Sequence, residues 1–179
     1  MTLFDAIELD RAGDLPAAAS AYEACLIEGR DLPQAMANLM ALYFQSTDYG
    51  VWSGSGLDLA FVRHADERLG QLIQHAEQDE LRWSEVGFWA RYIKWADWGE
   101  VFSIEECREF MRRDPANIEP AFHLYALTGE READALRLLH PKGGLHTVRA
   151  SYVSAVVQSA MDVRKGRGVR PDVPVKEQK

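Results

Sequence analysis

One spacing recurs along this chain and restricts what it can fold into. An apolar residue is followed by another three positions on, and then by a glycine-acid pair four further. The copies are Ala6, Leu9, Gly13-Asp14; Met40, Tyr43, Thr47-Asp48; Tyr92, Trp95, Gly99-Glu100; and Phe122, Tyr125, Gly129-Glu130. A spacing of three places both apolar residues on one face of a helix. Glycine serves where the backbone must turn left-handed, and the following acid can cap a new helix. Each copy therefore reads as the end of a first helix and the tight turn into its antiparallel partner. The second copy has Thr47 where the others have glycine.

The intervening segments fit that frame. Leu3 to Ala12 reads as a helix, as does Pro16 to Glu28 behind Asp14 as N-cap. Asp31 and Gln34 have the spacing of a capping box and open a third helix to about Gln45. Ser46 to Gly56 is rich in Gly and Ser and reads as a break, although it carries Tyr49, Val51 and Trp52. Leu57 to about Gln78 is a long amphipathic helix with Phe61, Ala65, Leu69, Leu72, Ile73 and Ala76 in its stripe. Trp83 to Phe102 holds four of the five tryptophans and is apolar around most of its circumference, which predicts a core helix ending at Gly99. A second capping box, Ser103 to Glu106, opens a helix to about Arg113, before Asp114-Pro115. Pro120 to Leu127, Glu130 to Leu139 and Val148 to Arg164 complete the set. The expected organisation is all-α: stacked antiparallel helix hairpins over 1–164 with a C-terminal capping helix, then a disordered basic tail over 165–179.

The first two copies lie 34 residues apart. In that period, Ala6, Leu9, Gly13-Asp14, Ala18, Tyr22 and Cys25 resemble the tetratricopeptide repeat family, and Asp114-Pro115-Ala116-Asn117 is similar to its usual break between repeats. The resemblance covers Leu3 to Gln45 closely and Val86 to Leu139 loosely. It departs where the family's tryptophan-like position falls on Thr2, where the second repeat is stretched by Ser46 to Gly56, and where the fourth has a short first helix. It implies a right-handed superhelix whose concave face carries Leu3, Ile7, Asp10 and Arg11, then Ala37, Ala41, Phe44 and Gln45, then Val86, Trp89, Ile93 and Asp97. Members that clamp a peptide carboxylate use Lys, Arg and Asn there. Here only Asn38 fits such a role, and Leu3, Ile7 and Ala90 fall where polar residues are wanted, so that ligand class is rejected. So apolar a lining needs a cover, either a partner's helix or the chain's own Val148 to Met161.

Charge narrows the partners. Of 20 Lys/Arg and 28 Asp/Glu, six and two lie between Arg164 and Lys179, which leaves the body strongly acidic at 14 against 26. That argues against nucleic acid and favours either a basic protein partner or simple solubility. The tail either engages an acidic surface or aids solubility. No stretch approaches the roughly 18 apolar residues of a membrane span, and Met1 to Asp10 has no basic residue to begin a leader. Two separated cysteines, Cys25 and Cys107, outline neither a zinc site nor a disulfide framework, and a cytoplasmic location is expected.

Catalytic chemistry finds no support. His64 with Glu67 and His75 with Glu77 lack a metal-binding partner motif, and His123, His140 and His146 have no spacing that demands a cluster. Cys107 stands beside Glu105, Glu106 and Glu109, which raise a thiol pKa. No cofactor is implied. The expectation is a non-catalytic protein-binding module, adaptor or chaperone-like, with an acidic immunity or antitoxin protein that neutralises a basic enzyme as the alternative. The candidate binding residues are Arg11, Phe44, Gln45, Trp89 and Asp97 on the concave face and Tyr49 and Trp52 in the Ser46–Gly56 segment. Trp52 either forms a contact arm or folds back onto the aromatic helix.

Overall fold

The computed structural model describes residues 2–30, 32–77, 81, 84–140 and 146–166. Among these the secondary structure is helical, with no strand. Ten helices follow in order: α1 (Leu3–Arg11), α2 (Leu15–Ile27), α3 (Leu32–Thr47), α4 (Tyr49–Ser55), α5 (Leu59–Ala76), α6 (Glu85–Ala96), α7 (Ile104–Arg113), α8 (Pro120–Thr128), α9 (Glu132–Arg137) and α10 (Val148–Arg164). The expected Asp31 cap, Trp83 and the tail from 167 to 179 lie outside the described residues.

Local chemistry sets most helix starts. Thr2 and Asp5 form a reciprocal capping box on α1. Asp14, Asp48, Ser103 and Thr147 accept from the backbone amides of Ala17, Val51, Glu106 and Ala150. The box expected at Ser103 is only half made, because the Glu106 carboxylate is taken by the Arg91 guanidinium at 2.9 Å. The recurring turn holds in three copies: Gly13, Gly99 and Gly129 have φ of +79°, +70° and +84°, a region costly for any residue with a Cβ. The acid after them plays two parts. Asp14 caps, whereas the longer Glu100 and Glu130 side chains pair with Arg91 and Lys94, and with Arg108.

The second copy differs from expectation. No turn forms at Thr47-Asp48; α3 runs through Thr47, and Ser46 to Gly56 is mostly helix rather than a loop. Asp48 caps α4 at one end and Gly56, at φ +70°, ends it at the other. These two caps offset the poor helix propensity of Gly50 and Gly54.

Helix α1 packs on α2, α2 on α3, and α3 on both α5 and α6; α7, α9 and α10 pack on α8. The aromatic helix is central. Phe88, Trp89, Tyr92 and Ile93 are all buried. Phe88 meets Phe110 of α7 and Phe122 of α8 edge-on, each at 5.7 Å between ring centroids, the geometry that ring quadrupoles favour. Helix α10 lies against α3 as well as α8. Its Val153 and Val157 join the core, and its Tyr152 contacts Phe44, Trp89, Tyr92 and Phe122. Of the residues expected on the concave face, Phe44 and Trp89 are covered by Tyr152 of α10.

Candidate functional site

Three arrangements stand out in the fold: a buried polar network under α10, the aromatic pair on α4, and a cleft between α6, α8 and α10.

The network begins at Arg149, the second residue of α10, which is 7% exposed. Its guanidinium donates to Glu119 at the start of α8 (2.9 Å from Nε to Oε1), to Glu85 at the start of α6 (2.7 Å) and to the side-chain Oδ1 of Asn38 on α3 (3.3 Å). Asn38 passes the chain on, donating to the Tyr22 hydroxyl at 3.2 Å, which donates to Asp10 at 2.9 Å. Asp10 accepts in turn from the backbone amide of Val148 at 2.8 Å. The Trp89 indole donates to Glu119 at 2.8 Å. One cation thereby ties α10 to α3, α6 and α8, and one carboxylate ties it to α1 and α2. Burial works against the Arg149 charge, yet Glu119 and Glu85 outweigh it and hold the guanidinium firmly protonated. Burial raises the Asp10 pKa against the lowering effect of its two donors. Every polar partner is supplied from within the chain, so the network reads as a fastening for α10.

The expected concave residues divide accordingly. Trp89 is fully buried and Phe44 stacks edge-on against Tyr152 at 5.5 Å, so both serve α10 packing. Gln45 is half-buried beside Phe44. Arg11 lies outside, paired with Glu8 at 2.7 Å, and Asp97 is exposed as the C-cap of α6. Asn38 is buried within the network.

Tyr49 and Trp52 come together on α4. Their rings meet edge-on at 5.3 Å, Tyr49 is 74% exposed, and none of the seven α4 residues is buried. The helix packs on α3; Val51 and Trp52 are half-buried while Tyr49 stands out at the surface.

Tyr92 and Trp95 of α6, His123 and Leu127 of α8, and Tyr152, Ser159 and Arg164 of α10 are among the residues that line an open cleft of about 490 Å³. The Tyr92 and Tyr152 hydroxyls lie 2.6 Å apart. His123 is stacked on Phe102 at 5.1 Å and packed edge-on by Trp95 at 4.5 Å. Its burial pushes the imidazole pKa down to about 4, and its Nε2 has no hydrogen-bond partner among the described residues. The sequence offers no signal for this pocket beyond a histidine in an otherwise apolar helix, and none for Arg149 as the hub of the network.

Other chemistry is quiet. Burial first and Glu106 second push the Cys107 thiol up to about 12, and its Sγ lies 3.5 Å from the Pro120 carbonyl. Among the described residues no cluster of His, Cys, Asp or Glu could hold a metal ion, and no helix is long and apolar enough to cross a membrane. Comparison with protein-family models, curated proteins and solved structures finds no match to this chain.

Proposed function

We propose that this chain is a non-catalytic binding module, built from tetratricopeptide-like helix hairpins, that engages a basic protein partner through the α4 face. The observation that carries the reading is α4 itself. A helix with no fully buried residue adds little to the core, yet it holds the exposed Tyr49 edge-on against the half-buried Trp52. An exposed aromatic braced in this way is costly in water and favoured as an anchor in interfaces. The acidic carboxylates of Asp48 and Asp58 flank it, and the acidic body as a whole favours a basic partner by steering.

The test is capture of partners from the native host with the wild type, Tyr49→Ala and Trp52→Ala. A basic protein held by the wild type and lost by both variants, with melting midpoints within about 3 °C of each other, is expected. Trp52→Ala retaining the partner would sink the reading, as would a melting loss large enough to make α4 part of the core. A steep fall of the on-rate with salt for a basic enzyme, inhibited on binding, would move the reading to the acidic immunity class.

A further inference from the structure

We propose that the cleft between α6, α8 and the C-terminal half of α10 binds a small anionic amphiphile, a molecule with an aromatic or alicyclic body and a single acidic head. It goes beyond the protein-binding role and uses a different face, so its failure would leave the α4 reading untouched.

Helix α10 is fastened at both ends and packed through Val153 and Val157 in between, and the cleft lies along its smaller residues. Arg149 fastens one end, as described. At the other, Arg164 donates from Nη2 to the Tyr125 carbonyl at 2.8 Å and lies over the Tyr125 ring at 5.2 Å. Between these fastenings α10 presents Ala155, Ser159 and Ala160 toward α8, and α8 answers with Ala126 and Leu127. Small residues on both sides leave a gap where long ones would interlock. At about 490 Å³ the gap is within the size range of small-molecule sites, and its walls have their usual character: apolar and aromatic, with a few polar groups. Leu127 is 41% exposed at its edge, apolar surface that an occupant would take out of water.

The head group follows from charge. Arg164 is the one charged residue among those lining the cleft; no Asp or Glu lines it. Arg164 is exposed as a residue, and no carboxylate pairs with it among the described residues. On so acidic a chain an arginine at the mouth of an apolar cleft, held by a carbonyl and a ring rather than by a carboxylate, selects an anion. Its position is built in: a Cβ on Gly129 would stand 2.9 Å from the Arg164 Nη1, so the absence of a side chain there makes room for the guanidinium. The neutral His123 imidazole and the Tyr92–Tyr152 hydroxyl pair supply the interior polar contacts without adding charge.

The probe is 8-anilinonaphthalene-1-sulfonate, titrated into the full chain and followed by its fluorescence, with the uncharged N-phenyl-1-naphthylamine beside it. One saturable site with an affinity on the order of micromolar is expected for the sulfonate. Ala160→Phe and Ser159→Phe fill the cleft from the same wall, and each should weaken both probes about tenfold or more. Arg164→Gln should weaken the sulfonate about tenfold more than the naphthylamine, while Arg164→Lys, which keeps the charge, should restore most of that difference. Absence of saturable binding, retention of full affinity by both filling variants, or equal loss of both probes in Arg164→Gln would each overturn the proposal.

Discussion

Replacing Arg149 by alanine should cost far more than an ordinary surface arginine. The guanidinium is 7% exposed and serves three acceptors on three helices. Its removal leaves the Glu119 carboxylate, only 17% exposed, with the Trp89 indole and no cation, and it leaves Glu85 without its partner. Breaking a buried pair from one side costs about 3–5 kcal/mol, chiefly because the orphaned charge stays desolvated. For a chain whose total stability is on the order of 5–15 kcal/mol, that is a large share. Equilibrium urea unfolding measures it. With a slope of about 2 kcal/mol per molar, a loss of about 4 kcal/mol lowers the midpoint by about 2 M. The cause is isolated by adding Glu119→Gln, which removes the stranded charge but keeps an acceptor for the indole. The double variant should recover at least about 1 kcal/mol relative to additivity, since the two residues are in direct contact. A midpoint shift equivalent to less than about 1 kcal/mol for Arg149→Ala, or strict additivity with Glu119→Gln, would refute the assignment of this network as the fastening of α10.

Two further outcomes follow from buried groups. His123 has a folded pKa of about 4 against an ordinary value of 6.5, so the unfolded chain binds more protons between those values; its contribution to stability is complete above about pH 6.5 and is lost as pH falls through 4, by up to about 3 kcal/mol. Asp10, with its pKa raised, acts in the opposite sense, losing stability as pH rises through its folded value. Chemical denaturation across that range should therefore show the His123 slope, and His123→Phe should flatten it; an unchanged slope in the variant would show that the imidazole is not the titrating group. The two thiols are buried, and that of Cys107 is pushed up to about 12, so an aromatic disulfide reagent at pH 8 should modify neither in the native state and both in denaturant, and rapid native labelling would contradict their packing.

The parts of this fold that were legible in the sequence are those decided within a few residues. Asp14, Ser103 and Gly99 each act over one turn of backbone, and the helices beside them begin and stop close to where the pattern places them. Segment 46–56 misled for the same local reason. Its glycines and serines signal a loop, but a cap at each end and contact with α3 favour a helix, and tertiary contact overrides propensity. The aromatic helix was readable as core because apolarity on every side has few other meanings. Its true end, at Ala96, falls short of the glycine because Asp97 and Trp98 already close the final turn. The polar network was not readable at all. Asp10 and Val148, or Asn38 and Arg149, meet only after six helices have been arranged around them, and no spacing in one sequence announces a contact of that range. The cleft is a residue of the same arrangement, defined by what α8 and α10 lack.

The reach of the Asp10–Val148 contact, 138 residues along the chain, also sets an order of events during synthesis. The first hairpins can form from local contacts as soon as they leave the ribosome, but the faces of Phe44 and Trp89 that meet Tyr152 stay wet until nearly the whole chain has emerged. At about 5–20 residues per second, the interval between completing α3 and delivering α10 is on the order of five to twenty seconds. During that interval the nascent chain displays its inner aromatic surface, an exposure that holding chaperones would have to cover and that the finished molecule never shows.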